Sequence, residues 1–330
     1  MIRDAGSAMN SFAAACRHVS AFAIAAFCFA IFAAPLPLHS FEIAEAAPLA
    51  ARALLLDVAG TDNGLIAVGD HGDVVVSRDE GVTWTQIIAP TRSLLTAVSF
   101  PDARHGWIVG HDGVILITDD GGATWTRQDS GKDLDTVFLD VLFLDETNGF
   151  AVGAYGKFLT TKDGGKTWVA GIKPSADEVH YNSVSADAAG NLFLAGESGT
   201  FLTSIDRGEK WRQRTVPYDG SFFGALTGGK GTIIVYGLRG HILLSIDGGA
   251  TWEPKNSDTR VLISCGLRLK TGVIVLGGQG GNFCISRDDG DNFVAWKPAN
   301  FNTSVSAMVE ANDGTLVTVG EAGAVRIKLP

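Results

Sequence analysis

Short apolar runs punctuated by glycine recur along this chain at a nearly constant spacing. Trp107-Ile108-Val109 precedes Gly110, and Val114-Ile115-Leu116-Ile117 follows Gly113. Two β-rich runs joined by a short glycine-containing loop predict a hairpin. The Gly-x-x-Gly joint is found at Gly69/Gly72, Gly110/Gly113, Gly153/Gly156, Gly196/Gly199, Gly237/Gly240, Gly278/Gly281 and Gly320/Gly323. A third run lies upstream of each hairpin, as in Leu95–Phe100, and a fourth downstream, as in Thr126-Arg127-Gln128. Four short strands in forty-odd residues, repeated seven times, predict an all-β, seven-bladed β-propeller.

A second marker follows each of the first six hairpins. The octets Ser77–Trp84, Thr118–Trp125, Thr161–Trp168, Ser204–Trp211 and Ser245–Trp252 share a Ser/Thr, an Asp at position three, a Gly at position five and a final Trp. Ser286–Phe293 ends in Phe instead. The closing aromatics are spaced by 41, 43, 43, 41 and 41 residues. The Asp can accept backbone N–H groups within the turn, the Gly supplies a positive φ, and the aromatic ring plugs the hairpin. These acids are therefore expected to be turn devices between the third and fourth strands, not metal ligands or catalytic carboxylates.

The third run of each unit is apolar on both sides, as in Val74-Val75-Val76, which requires cover on both faces from stacked neighbours. The seventh unit supplies three runs and then reaches Pro330. The alternating segment Phe41-Glu42-Ile43-Ala44-Glu45 stands where a fourth strand would be counted. The expectation is that residues 41–47 close the ring against blade seven, so that the propeller spans 41–330.

Charge and composition narrow the partner classes. The net charge of −10 with no basic run excludes a dense phosphate-binding face, so no nucleic acid is expected. Arg3, Arg17 and His18 precede an apolar run from Val19, followed by Pro35-Leu36-Pro37-Leu38. That pattern reads as a signal peptide over residues 1–40, with a retained anchor over 19–38 as the rival. Either way the body is expected to be exported to a periplasm or an equivalent lumen. Cys265 and Cys284 fall on the first and third strands of one blade, about 9–10 Å apart, too far for a disulfide.

At these residues the sequence resembles the photosystem II stability/assembly factor-like family of BNR (Asp-box) repeat β-propellers. The resemblance covers about residues 41–330. It implies a non-enzymatic exported protein that binds a protein partner, a membrane protein or its assembly intermediate, without a cofactor. Asp-box repeats also occur in sialidases and glycosidases, so a carbohydrate-active propeller is the alternative. Against it, no Arg-Ile-Pro is present, seven units exceed the six of a sialidase, and Glu197 and Glu321 are three blades apart.

In a propeller the Gly-x-x-Gly loops and the links between blades share one mouth. There the candidate partner-binding residues are Arg92, Tyr155, Tyr218, Arg239 and Arg260, because exposed aromatics and arginines dominate protein interfaces, together with His71 and His111. His71 and His111 stand on adjacent blades beside Asp70 and Asp112, but as solvated loop residues rather than a metal site. Phe222 and Phe223 are open between this face and the core.

Overall fold

The computed structural model describes residues 42–128, 135–171, 178–228 and 231–330. Among these residues, six antiparallel four-stranded sheets and one three-stranded sheet follow each other along the chain, each in simple sequence order. In blade one the inner strand is Leu55–Thr61, the second Gly64–Gly69, the third Asp73–Ser77 and the outer Thr85–Ile88. Up-and-down order puts every octet turn on one face and every Gly-x-x-Gly loop on the other.

Middle strands are buried throughout, as at Asp73–Ser77 and Ile233–Gly237. Their cover comes from the next blade, as the two-sided apolar pattern requires. One cluster joins Ile66, Val68, Val74 and Val76 of blade one to Leu95, Val98, Ile108 and Trp125 of blade two. Cys265 and Cys284 are buried free thiols on the inner and third strands of blade six.

The octets do more than hold their own hairpins. In the second, Thr118 Oγ1 and the Thr124 N–H both donate to Asp120 Oδ1, at 2.7 and 2.9 Å, while Thr124 Oγ1 donates to Oδ2 at 2.6 Å. Hydrogen bonds from the Thr83 hydroxyl and amide likewise hold the Asp79 carboxyl down at about 2. A Cβ at Gly122 of this turn would strike Ile66 of blade one, one at Gly208 would strike Phe150, and one at Gly290 would strike Ile234. Each of these octets is thus wedged onto the second strand of the preceding blade, at the residue three before the first glycine of its Gly-x-x-Gly, whereas the fifth octet meets Arg214 instead. The repeat fixes the seam between blades as well as the turn.

Inner strands carry a register shift near their start in all seven blades. Such bulges re-aim side chains along the channel wall. Asp57 Oδ2 accepts the Val98 N–H of blade two at 2.8 Å, and Asp140 Oδ2 accepts the Val184 N–H of blade four at 2.8 Å. Thr96 and Asn182 donate to the backbone of the following inner strand.

The closing segment departs from expectation. Among the described residues the seventh sheet has three strands, Val305–Glu310, Leu316–Gly320 and Val325–Ile327, and residues 42–47 do not pair with it. Instead Ala44 N–H donates to Ala89 O at 2.9 Å, on the outer edge of blade one. The alternation of residues 41–45 is not used as in a sheet: Glu42, Ile43 and Glu45 are all exposed and only Ala44 is buried. Two glutamates find Arg92 on that edge, which blade seven does not offer. Phe41 lies outside the described residues.

Closure comes from packing. Leu55, Val58 and Val75 of blade one share a cluster with Ala311, Val317 and Val319 of blade seven. The first octet covers this seam, with Gly81 against Val317 and Glu80 bonded to Asn312 and Arg326. Ala324 N–H donates to Ala51 O at 2.9 Å. Gly323 meets Ala51 much as Gly72 meets Thr91, so residues near Ala51 take the place of a link between blades.

Candidate functional site

The Gly-x-x-Gly face is built by backbone proximity. A Cβ at Gly69 would strike the Leu54 carbonyl, and one at Gly72, whose φ is +75°, would strike Thr91 O in the link to blade two. Glycine is required at both ends because the loop is clamped between its own inner strand and the next link. The residue before the second glycine is forced into the left-handed region: His71, Asp112, Tyr155, Ser198 and Arg239 have φ of 53–57°. Non-glycine residues occupy that region at a cost. The result is a ring of outward-pointing side chains that differ from blade to blade.

Blades three to six carry the aromatic and basic members. Tyr155, 72% exposed, meets His180 edge-on with ring centroids 4.8 Å apart. Tyr218, in the next link, stacks on His241 at 3.9 Å and donates its hydroxyl to Leu238 O at 3.2 Å. Burial pushes the Tyr218 phenol up, and the nearby Arg239 guanidinium pulls against it. Arg260 is exposed in the following link. Beside Tyr218 runs a cleft of about 740 Å³ lined by Ser198, Gly199, residues 213–217 and Asp219. An aromatic wall, a cation and an open groove are suited to holding a peptide segment.

The other anchors stand apart from this group. Arg92 lies in the link from blade one to blade two and pairs with Glu45 at 2.9 Å and Glu42 at 3.5 Å. His71 is an exposed partner of Asp70, and His111 is half-buried in the second loop. The metal-capable grouping among the described residues is Asp102, His105 and Glu146 on the octet face, so the His71 and His111 pairs do not converge. There Asp102 also accepts the N–H groups of Arg104 and His105, which is a turn arrangement. Glu197 accepts the His180 N–H and Glu321 the Ser304 N–H, each tying a loop to its own inner strand. They are not a facing pair of acids.

Phe222 is core and Phe223 half-buried. His241 and Leu238 were not singled out by sequence, although His241 directly follows Gly240 in the repeat register. The octet face is less uniform than the repeat suggests: Ile205 and Ile246, at the same octet position in blades four and five, are 81% and 72% exposed. Among the described residues, no helix is long and apolar enough to cross a membrane.

Comparison with known proteins agrees with this architecture. A solved structure described as YCF48 bound to D1 peptide is 19% identical, covering 89% of this chain and 99% of its own, with a TM-score of 0.70. YCF48 from Cyanidioschyzon merolae is 19% identical over 83% of this chain and 94% of its own, TM-score 0.66. The WD40 propeller domain of Doa1 is 13% identical over 86% and 94%, TM-score 0.64, and shares the fold. A search of curated protein sequences found no significant match. The family profile described as photosynthesis system II assembly factor YCF48 matches residues 76–136 and 130–328, so the chain belongs to that family.

Proposed function

We propose that this protein is a non-catalytic docking platform that holds a segment of a membrane-protein client on its Gly-x-x-Gly face, between blades three and six. The observation that carries the reading is the run of Tyr155–His180, Tyr218–His241, Arg239 and Arg260 along consecutive loops beside an open cleft. Membership of an assembly-factor family supports a protein client. So does the bound D1 peptide named for one related structure. Glu197 and Glu321 are engaged by their own loops, which supports a role without catalysis.

Photo-cross-linkers at Tyr155, Tyr218 and Arg260 are expected to capture membrane proteins, with Arg78 and Lys162 on the octet face as silent controls. Tyr218→Ala should weaken client binding by about 2 kcal/mol, roughly thirtyfold, in protein that still melts cooperatively, with only the lowering of the melting point that loss of its stack on His241 and its bond to Leu238 O brings. Captures at Arg78 and Lys162 alone would reverse the choice of face. Turnover of sialosides or β-glucans by purified protein would end the non-catalytic reading.

The body acts in a periplasm or an equivalent lumen after removal of residues 1–40. N-terminal sequencing of the exported protein should find Phe41 or an earlier residue, because residues 42–47 have built contacts on blade one. A mature start at Ala47, or an intact start in membranes, would overturn this assignment.

A further inference from the structure

Residues 42–47 run antiparallel along the outer edge of blade one without joining its sheet. Ala44 N–H bonds Ala89 O, and three residues on Ala47 N–H donates to Gln86 Oε1 at 2.7 Å. The same Gln86 amide donates through Nε2 to Glu45 O at 3.0 Å. One side chain therefore reads a carbonyl and an N–H two residues apart, as a neighbouring strand would. Its orientation is set by Asp73, a buried carboxylate that accepts the second Nε2 hydrogen at 2.8 Å. Blade one alone has an acid and an amide at these two positions: blade two has Val114 and Arg127, blade three Lys157 and Ala170, blade four Thr200 and Gln213. Arg92 completes the edge with its bonds to Glu42 and Glu45.

This edge selects an extended backbone, a small side chain at the Ala44 position and carboxylates three residues apart. Of its present occupant only Ala44 is buried in the core, and Ala47 packs in part beside it. Both ion pairs are exposed, Ile43 is turned to solvent, and a cleft of about 270 Å³ stays open between the segment, His71, Asp73 and Arg92. Exposed ion pairs contribute little, and an edge that adds a strand gains affinity mainly through backbone bonds. We propose that the outer edge of blade one is a binding site for an extended acidic segment of a protein partner, which residues 42–47 fill in cis as a displaceable strap. This goes beyond the docking reading of blades three to six, because it adds a second site at Arg92 that rests on contacts independent of Tyr155 and Tyr218.

The test uses a fluorescent peptide with the sequence of residues 41–48 and a second peptide with Gln for both glutamates. Anisotropy titrations compare the exported chain, the same chain lacking residues 42–46, and that deletion with Arg92→Gln or Gln86→Ala. Tethering makes the strap a strong competitor, so the acidic peptide should bind the deleted chain at least about tenfold more tightly than the intact chain. Arg92→Gln, Gln86→Ala and the Gln peptide should each lose most of that gain. Absence of binding to the folded deletion variant, or binding indifferent to Arg92 and Gln86, overturns the site. A fall in melting temperature beyond about 10 °C on deletion shows the strap to be part of the fold, which overturns displaceability. None of these results alters the cross-links expected at Tyr155 and Tyr218, so the two readings fail separately.

Discussion

Trp107→Ala is expected to cost about 3–5 kcal/mol, a large share of the roughly 5–15 kcal/mol that holds a domain folded. Trp107 sits in the second strand of blade two, 1% exposed, in a cluster that also takes Phe138, Val141, Phe143, Ala151 and Leu159 from blade three. Its ring stacks on Phe143 with centroids 3.4 Å apart and planes within 7°, and its indole N–H donates to Gly164 O at 3.1 Å. Gly164 is in the third octet, so the side chain bolts the turn of blade three to the body of blade two. Truncation opens a cavity at the seam and leaves the Gly164 carbonyl without its donor, and both effects have the same sign. Trp107→Phe keeps the stack and loses the bond, so it should cost about 1 kcal/mol. Urea melts check this: the midpoint should fall in the order wild type, Phe, Ala with little change in slope. A shift below about 1 kcal/mol for the alanine variant would mean that the seams contribute little to stability.

Why the blade count is legible in the sequence, while the seam role of Trp107 is not, follows from where each signal resides. The octets and Gly-x-x-Gly loops are local devices: Thr118, Asp120 and Thr124 satisfy one another within seven residues, and Gly69 is fixed by a carbonyl in its own blade. Such constraints leave a readable imprint. The separation of Cys265 from Cys284 followed from strand order alone, and it holds. Contacts across a seam leave no such imprint. Trp107 reads as one more apolar residue in a second strand, and its partner Gly164 is 57 residues away. His241 gains meaning only when Tyr218 stacks on it, and Gln86 only when the backbone of Glu45 and Ala47 arrives. The strap shows the same limit from the other side. Counting back predicted a strand on blade seven, but the choice between two edges is made by Arg92 and Gln86, which the alternation of residues 41–45 does not encode.

Stability should also fall as the pH rises from about 4 to about 8, because two acids line the channel wall. Asp57 and Asp140 are half-buried at the bulges of their inner strands, each bridging to the next blade. Desolvation raises the Asp57 carboxyl to about 6. It raises Asp140 to about 7, and the Asp57 charge adds to the effect. Unfolded, both titrate near 3.8. Between these values the folded chain keeps protons that the unfolded chain has released, so a stabilising contribution present below pH 4 is lost as the pH climbs through 6 and 7. At about 1.4 kcal/mol per pH unit for each group, and allowing for solvent in the channel, the loss should reach roughly 3 kcal/mol. The octet acids do not mask it. Asp79, Asp120 and Asp288 are held down at about 2, so their contribution is complete above pH 4 and is lost only below it. Asp140→Asn removes the larger of the two contributions. It should flatten the decline between pH 5 and 8, even though the amide cannot accept the N–H groups of both Val141 and Val184 through two oxygens. Thermal melts at half-unit pH steps for wild type and Asp140→Asn are the measurement. A wild-type melting temperature that is flat or rising from pH 5 to 8 would show that these carboxylates are ionised in the folded ring, with backbone N–H groups outweighing their burial.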